Sequence, residues 1–206
     1  MKTSIKTFIA LAVTAVVLTT STAATFAADG KKETILTEVK KTNKIYVSGN
    51  VELILVQSTD ESVKVYDDYY AKNALVQQKN GELRISSFNK ETLTVVVYVN
   101  NLTSISASDN ATVKTFGKFN AVALDVKLQD NATANLNTNT VELNTNVSGI
   151  AKLTLTGSTE TYNGLMGSFA NVNLEKFTAE TKSIQSKNAV VARTVVKTAA
   201  QLPDAE

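Results

Sequence analysis

The stretch SDNATVKTF at residues 108–116 returns in altered form as QDNATANLN at residues 129–137, and both carry the tetrapeptide Asp-Asn-Ala-Thr. Anchored on the alanine of each copy, the pattern runs on. Ala111 and Ala132 are followed by Ala151 in SGIAKLTLTG, Ala170 in GSFANVNLEK and Ala189 in SKNAVVARTV, at steps of 21, 19, 19 and 19 residues. Two positions beyond each alanine stand Val113, Ala134, Leu153, Val172 and Val191, all apolar. Four positions before stand Ala107, Leu128, Val147, Met166 and Gln185, apolar except the last. The residues just ahead of each alanine are rich in Ser, Asp, Gly and Asn, which turn a chain by local hydrogen bonds or by tolerating left-handed φ.

A period of this length, with two short strands per unit, is the signature of stacked rungs. A single rung is too small to bury a core, so the stack has to supply one. Alanine and valine in the inward columns suit a narrow interior with rungs ~4.8 Å apart. The expectation is an all-β solenoid with rungs of about 19–21 residues.

The chain ahead of the repeat is also strand-like. KIYVSGNVELILVQS (44–58) places Ile45, Val47, Val51, Leu53 and Leu55 on alternate positions, interrupted at Ser48-Gly49-Asn50. Asn80-Gly81 lies between two apolar runs, a strong hairpin signal because both residues accept positive φ. Val95, Val97 and Val99 precede a turn at Asn100-Asn101. These patterns predict hairpin-rich N-terminal rungs. Helical periodicity is scarce, with DDYYAKNALVQQ (67–78) the best candidate for a single turn. The one proline, Pro203, sits in the tail, as uninterrupted ladders require.

Residues 1–33 read MKTSIKTFIALAVTAVVLTTSTAATFAADGKKE. Lys2 and Lys6 precede an apolar run from Phe8 to Leu18, and Thr25-Phe26-Ala27 offers small residues at the −3 and −1 positions of a cleavage site. The organisation expected is a signal peptide at 1–27, a solenoid domain at 28–195 and a polar tail at 196–206. No later run approaches the ~18–20 apolar residues of a membrane-spanning helix. The product is expected in the periplasm, on the outer surface or in the medium.

The formal net charge of +2 misleads, because removal of Lys2 and Lys6 lowers Lys+Arg from 21 to 19 against 19 Asp+Glu. Without a basic block, counterion-release binding to nucleic acid has no support. The chain has no cysteine and no histidine, which removes disulfides, thiol catalysis, a lipoprotein anchor and the commonest general bases and metal ligands. No catalytic residue, metal site or cofactor is expected. Asp60/Glu61 and Asp67/Asp68 are adjacent pairs, and neighbours on a strand point to opposite faces.

Surface candidates remain. Asp109 and Asp130 would stack if 21 residues make one rung, and stacked carboxylates attract Ca²⁺, which wants six to eight oxygens. Their column continues as Gly149, Ser168 and Lys187, however, which favours turn capping. Asn110 and Asn131 lie in Asn-x-Thr triplets, as does Asn101, while Asn146 lies in Asn-Val-Ser; an Asn/Thr-rich chain makes these glycan-acceptor patterns by composition. Tyr66, Tyr69 and Tyr70 of YDDYY form the one aromatic–acid cluster, flat apolar area with polar tips suited to glycan or protein contact.

The segments KIYVSGNVELILVQSTDESVKVYDD, NGELRISS and LTVVVYVNNLTSISASDNATV together resemble the GIN domain family, described as auto-transporter adhesin heads and common in Bacteroidetes. The most specific parts are V-x-G-x-V-x-L-x-L-x-Q at Val47–Gln57 and V-x-V-x-x-L-x-S-I-x-A-S at Val97–Ser108. The resemblance covers about Glu33 to Val195. It implies a right-handed β-helix-like solenoid in the cell envelope with an adhesion role, and carries no catalytic residues. Family turns read Ser-Gly-Ser-Gly; here Ser-Asp-Asn and Gln-Asp-Asn open the first two units, which points to an altered turn geometry there. The expected function is a non-enzymatic exported envelope module that offers its ladder surface to a glycan or an envelope protein. The alternatives are a carbohydrate-active β-helix enzyme using carboxylates, and a structural module that self-associates through solenoid ends.

Overall fold

The computed structural model describes residues 33–36, 39, 41–66 and 74–186. The expected signal peptide and tail, Tyr69, Tyr70 and Ala189 lie outside the described residues. Thirteen strands occur, all in one curled sheet, with no helix among the described residues. In chain order they are β1 (Glu33–Leu36), β2 (Lys44–Gly49), β3 (Val51–Gln57), β4 (Ser62–Tyr66), β5 (Ala74–Lys79), β6 (Glu82–Ser87) and β7 (Leu93–Val99). Then come β8 (Ser104–Ala107), β9 (Thr112–Phe116), β10 (Phe119–Leu128), β11 (Thr133–Val147), β12 (Lys152–Met166) and β13 (Asn171–Ser186).

Two parallel ladders share the long strands. One runs β6–β2–β8–β10 and continues through the second arms of β11, β12 and β13. The other runs β7–β3–β9 and continues through the first arms of the same three strands. The spacing seen in the sequence sets the register: Ala134 pairs with Val113 at the longer of the two repeat steps, and with Leu153 at the shorter. Inward columns follow. Ile85, Val47, Ala107, Leu128 and Val147 stack on one side, and Val95, Leu53, Val113, Ala134 and Leu153 on the other, all buried. Burying a Val or Leu side chain is worth about 1.5–3 kcal/mol, so the columns carry the stability that no single rung could.

The N-terminal units depart from the hairpin-rich expectation. β2 and β3 do not pair with each other; each stacks in a different parallel ladder. The reason is Gly49, whose φ of +80° turns the chain to the opposite side, and whose missing side chain admits the Ser87 carbonyl. Asn80-Gly81 does close a hairpin between β5 and β6, with φ of +52° and +78°. Residues 74–79, where a helical turn was conceivable, form β5, and 67–73 lie outside the described residues. Stacking order also departs from chain order, since the β6/β7 unit lies outside the β2/β3 unit. Antiparallel strands close that end: β5 on β6, and β4 on β7 with β1 beyond it.

The turn preceding each repeat alanine is tight, with Ala111, Ala132 and Ala151 N–H donating to the carbonyls of Ser108, Gln129 and Ser148. Asp109, Asp130 and Gly149 hold the second position at φ of +57°, +58° and +67°. Thus the two aspartates adopt the same left-handed backbone as Gly149, and the first two turns share the geometry of the third. A Cβ on Gly149 would lie 2.8 Å from both the nitrogen and the carbonyl oxygen of Asp130. Gly149→Ala is expected to cost about 2 kcal/mol or more by chemical denaturation. Gly167→Ala, whose Cβ would meet nothing closer than 3.3 Å, should cost well under half of that; equal losses would contradict the crowding argument.

Burial pushes the phenols of Tyr162 and Tyr66 above their usual 10.0, a rise opposed in Tyr162 by a 2.9 Å hydrogen bond with Thr145. The folded state therefore holds these protons more tightly than the unfolded chain, and stability falls as pH climbs past about 10. Tyr162→Phe should flatten that alkaline decline in denaturant titrations; an unchanged slope would show that Tyr162 does not contribute to it.

Candidate functional site

Away from the tight turns, in the middle of β11 and β12, neighbouring rungs line a groove. Its floor is Thr140 and Thr159, both buried, with Thr140 Oγ1 donating to Thr159 Oγ1 at 2.9 Å. The Thr159 hydroxyl is further tied to the carbonyls of Val141 and Thr161, each at 3.1 Å. Register puts Asn120, Asn139 and Ser158 in one column along the groove, because Asn120 pairs with Asn139 and Asn139 with Ser158. Ser158 Oγ donates to Asn139 Oδ1 at 2.8 Å, and Gln57 extends the column by accepting the Asn120 backbone N–H at 2.9 Å. Alongside lie Val122 and Val141, 77% and 46% exposed, then Glu160 and Glu180. The hollow measures about 580 Å³. Amides and hydroxyls that can both donate and accept line one side, and exposed methyl groups the other.

The turn edge gathers four of the expected surface residues. Asp109 sits between β8 and β9, Asp130 between β10 and β11, and the structure stacks them. The Gly49 N–H donates to Asp109 Oδ2 at 3.1 Å, and the Asp109 N–H to Asp130 Oδ2 at 3.4 Å. Asn131 Nδ2 donates to Asn110 Oδ1 at 3.0 Å. Each aspartate thus caps the turn of the neighbouring rung. Among the described residues no group of three or more His, Cys, Asp or Glu is placed to hold a metal ion. Tyr66 is not brought to this edge. It ends β4, paired with Glu33 and Thr94, and only 8% of it is exposed, so it offers no contact surface. Asp60 and Glu61 do not form a pair either: Glu61 is committed to the backbone N–H groups of Thr42 and Asn100 at 3.1 and 3.2 Å.

A family model described as "Putative auto-transporter adhesin, head GIN domain" matches residues 42–198. The chain belongs to this family. Three solved structures share the GIN-domain fold of this chain. A putative adhesin from Bacteroides fragilis has 18% identity over 77% of this chain and 78% of its own, with a TM-score of 0.63. A putative adhesin from Parabacteroides distasonis has 17% identity over 77% and 79%, with a TM-score of 0.59. A putative lipid binding protein from Parabacteroides distasonis has 10% identity over 77% and 79%, with a TM-score of 0.56. No curated protein matches the sequence.

For this GIN domain the groove is the feature that reading from the alanine column missed. The signal was present: Asn120, Asn139 and Ser158 recur with the same period as the alanines, but in the middle of each unit rather than at its turn. At the turn edge, Asp109→Ala loses both a residue that tolerates left-handed φ and the cap on Gly49. It should lower stability by about 1–2 kcal/mol, with Asp109→Asn closer to the parent. Millimolar calcium should leave the melting temperature of the parent unchanged; a rise abolished by Asp109→Asn would instead make the pair a cation site.

Proposed function

We propose that this GIN domain is a non-enzymatic, exported, adhesin-type module of the cell envelope, a right-handed β-solenoid that holds a glycan along its groove. The observation that carries this reading is the Asn120–Asn139–Ser158 column running beside Val122 and Val141. A linear polysaccharide presents hydroxyls and an apolar ring face at regular intervals. The groove offers amide or hydroxyl partners on rungs about 4.8 Å apart, with a methyl shoulder on β10 and β11 and a carboxylate in its place on β12 and β13. Each contact is weak, and several in register add up. The floor threonines are held by hydrogen bonds, so the walls are pre-ordered and little entropy is lost on binding. Export is supported by the signal-peptide pattern at 1–27 and by membership of a family described as adhesin heads.

The carboxylate-enzyme alternative has one foothold, since Glu160 and Glu180 lie in the groove. They occupy neighbouring strands in one column rather than opposed sides, and both are exposed. Glycoside cleavage needs two carboxyl groups flanking the scissile bond in different environments. The test is a glycan screen on the mature chain beside Asn139→Ala and Val141→Arg. Binding that drops about tenfold or more in both variants, without release of reducing ends, is the expected result. Binding unaffected by either variant would remove the groove, and hydrolysis dependent on Glu160 would make the protein an enzyme.

A further inference from the structure

The polar column of the groove runs on past the groove. Asn139 Nδ2 donates to Asn120 Oδ1 at 3.5 Å, and Asn120 Nδ2 to Gln57 Oε1 at 3.1 Å. Gln57 Nε2 in turn donates to the carbonyls of Asn120 and Asn100, at 2.8 and 3.3 Å. Beyond Asn100, the Glu61 carboxylate accepts the backbone N–H groups of Asn100 and Thr42. With the Ser158–Asn139 bond, one hydrogen-bonded chain crosses the rungs of β12, β11, β10, β3 and β7, roughly 19 Å at ordinary strand spacing. It ends at a second cavity of about 580 Å³, lined by Lys41, Thr42, Thr59, Asp60, Asn100 and Asn101 among others. Asn101 also lines the groove, so the two hollows share a wall.

We propose that this second cavity is a further glycan subsite, so that one neutral linear chain lies along both hollows; the inference rests on the reading of the groove as a glycan site. No aliphatic or aromatic side chain lines the second cavity, so it suits hydroxyls rather than a ring face. Lys41 and Asp60 are exposed there and form no ion pair among the described residues. An ammonium only donates and a carboxylate only accepts, whereas a sugar hydroxyl does both, so a diol placed between them satisfies each. Lys41 also holds φ of +56°, and the other non-glycine residues with positive φ among those described are Asn or Asp. A lysine gains no local side-chain hydrogen bond from that backbone, and such a cost is characteristic of binding sites. Acids outnumber the single cation along the track, with Glu160 and Glu180 towards one end and Asp60 and Glu61 at the other, which disfavours an anionic chain. The bonds of Gln57 and Glu61 fix the loops between the hollows, so joining them costs little ordering.

Chain length separates the two hollows in a test. A pyranose advances along an extended chain by about one rung step, so a tetrasaccharide fills the groove and an octasaccharide reaches the second cavity. The probes are cello-, manno- and chito-oligosaccharides of these two lengths, with an octasaccharide of polygalacturonate for charge. In at least one neutral series the octasaccharide should bind the parent about tenfold or more tighter than the tetrasaccharide. Lys41→Gly keeps the left-handed backbone at ease and removes the ammonium. It and Asp60→Ala should each cut octasaccharide affinity about fivefold or more while leaving the tetrasaccharide at the parent value. Asn139→Ala should weaken both lengths. Equal affinity for the two lengths, or a length gain that survives both Lys41→Gly and Asp60→Ala, overturns the second subsite and leaves the groove standing. Tighter binding of the polygalacturonate chain overturns the neutral ligand. Failure of every chain to bind, or binding indifferent to Asn139→Ala, removes the groove reading and this inference with it.

Discussion

Parallel backbone pairing at a fixed offset is the constraint on which the rest of this molecule depends. Once Thr133 is held against Lys152 and Phe119 against Thr138, every side chain stands on its counterpart in the rung before. The consequence is that residues are selected as columns rather than singly. An inward column is mostly apolar, with Thr138 and Thr145 among its buried exceptions, and an outward polar column has to satisfy itself. The second requirement accounts for the amide ladders. Asn131 donates to Asn110 at 3.0 Å, Asn144 to Asp125 at 3.0 Å and Asn163 to Asn144 at 2.9 Å, each against the residue directly beneath. Like side chains stacked at strand spacing repel if charged, but an amide offers a donor and an acceptor at once, so it pairs with a copy of itself.

The same constraint forces compensation in the core. Phe119, Thr138, Gly157 and Phe177 form one column, large, small, absent and large. Tyr162 lies edge-on to Phe177 at 5.7 Å, and crowds Gly164 so closely that a Cβ there would lie 3.0 Å from its hydroxyl. Thr138 and Gly157, between the two phenylalanines, leave room for their rings and for that of Tyr162. This column runs directly beside the groove, each of its members preceding a groove residue in the chain: Asn120, Asn139, Ser158 and Thr178. The position of the candidate site is thus tied to interior packing as well as to the residues that line it.

Which parts of this were legible in the sequence follows from where the period holds. From Ala107 onward each strand pairs with one a single repeat step away, and the inward positions at Ala111, Ala132 and Ala151 and at Val113, Ala134 and Leu153 are buried. Ahead of that, paired strands such as β2 and β6, β3 and β7, or β3 and β9 lie several steps apart in the chain, because β4 and the β5–β6 hairpin intervene. No window the length of one rung shows that relationship, and local alternation is equally compatible with hairpins and with stacked rungs. Tyr66 shows a different limit. Its sequence neighbourhood is polar, and only the pairing of β4 between β1 and β7 buries it.

The turn column Gly49, Asp109, Asp130, Gly149 shows why two residue types share one backbone. Each aspartate carboxylate reaches back to a backbone N–H of the preceding rung, Asp130 to Asp109 and Asp109 to Gly49. An aspartate therefore needs open space on that side, and the left-handed conformation it adopts costs roughly 1–2 kcal/mol without such a local hydrogen bond. At Gly149 that space is gone, since the Asp130 backbone lies 2.8–2.9 Å from where a Cβ would stand. Asp-Asn and Gly-Ile are accordingly two solutions to one turn, chosen by how tightly the previous rung approaches. A glycine pattern taken as the mark of such turns would pass over the first two, and those are the copies whose repetition reveals the ladder.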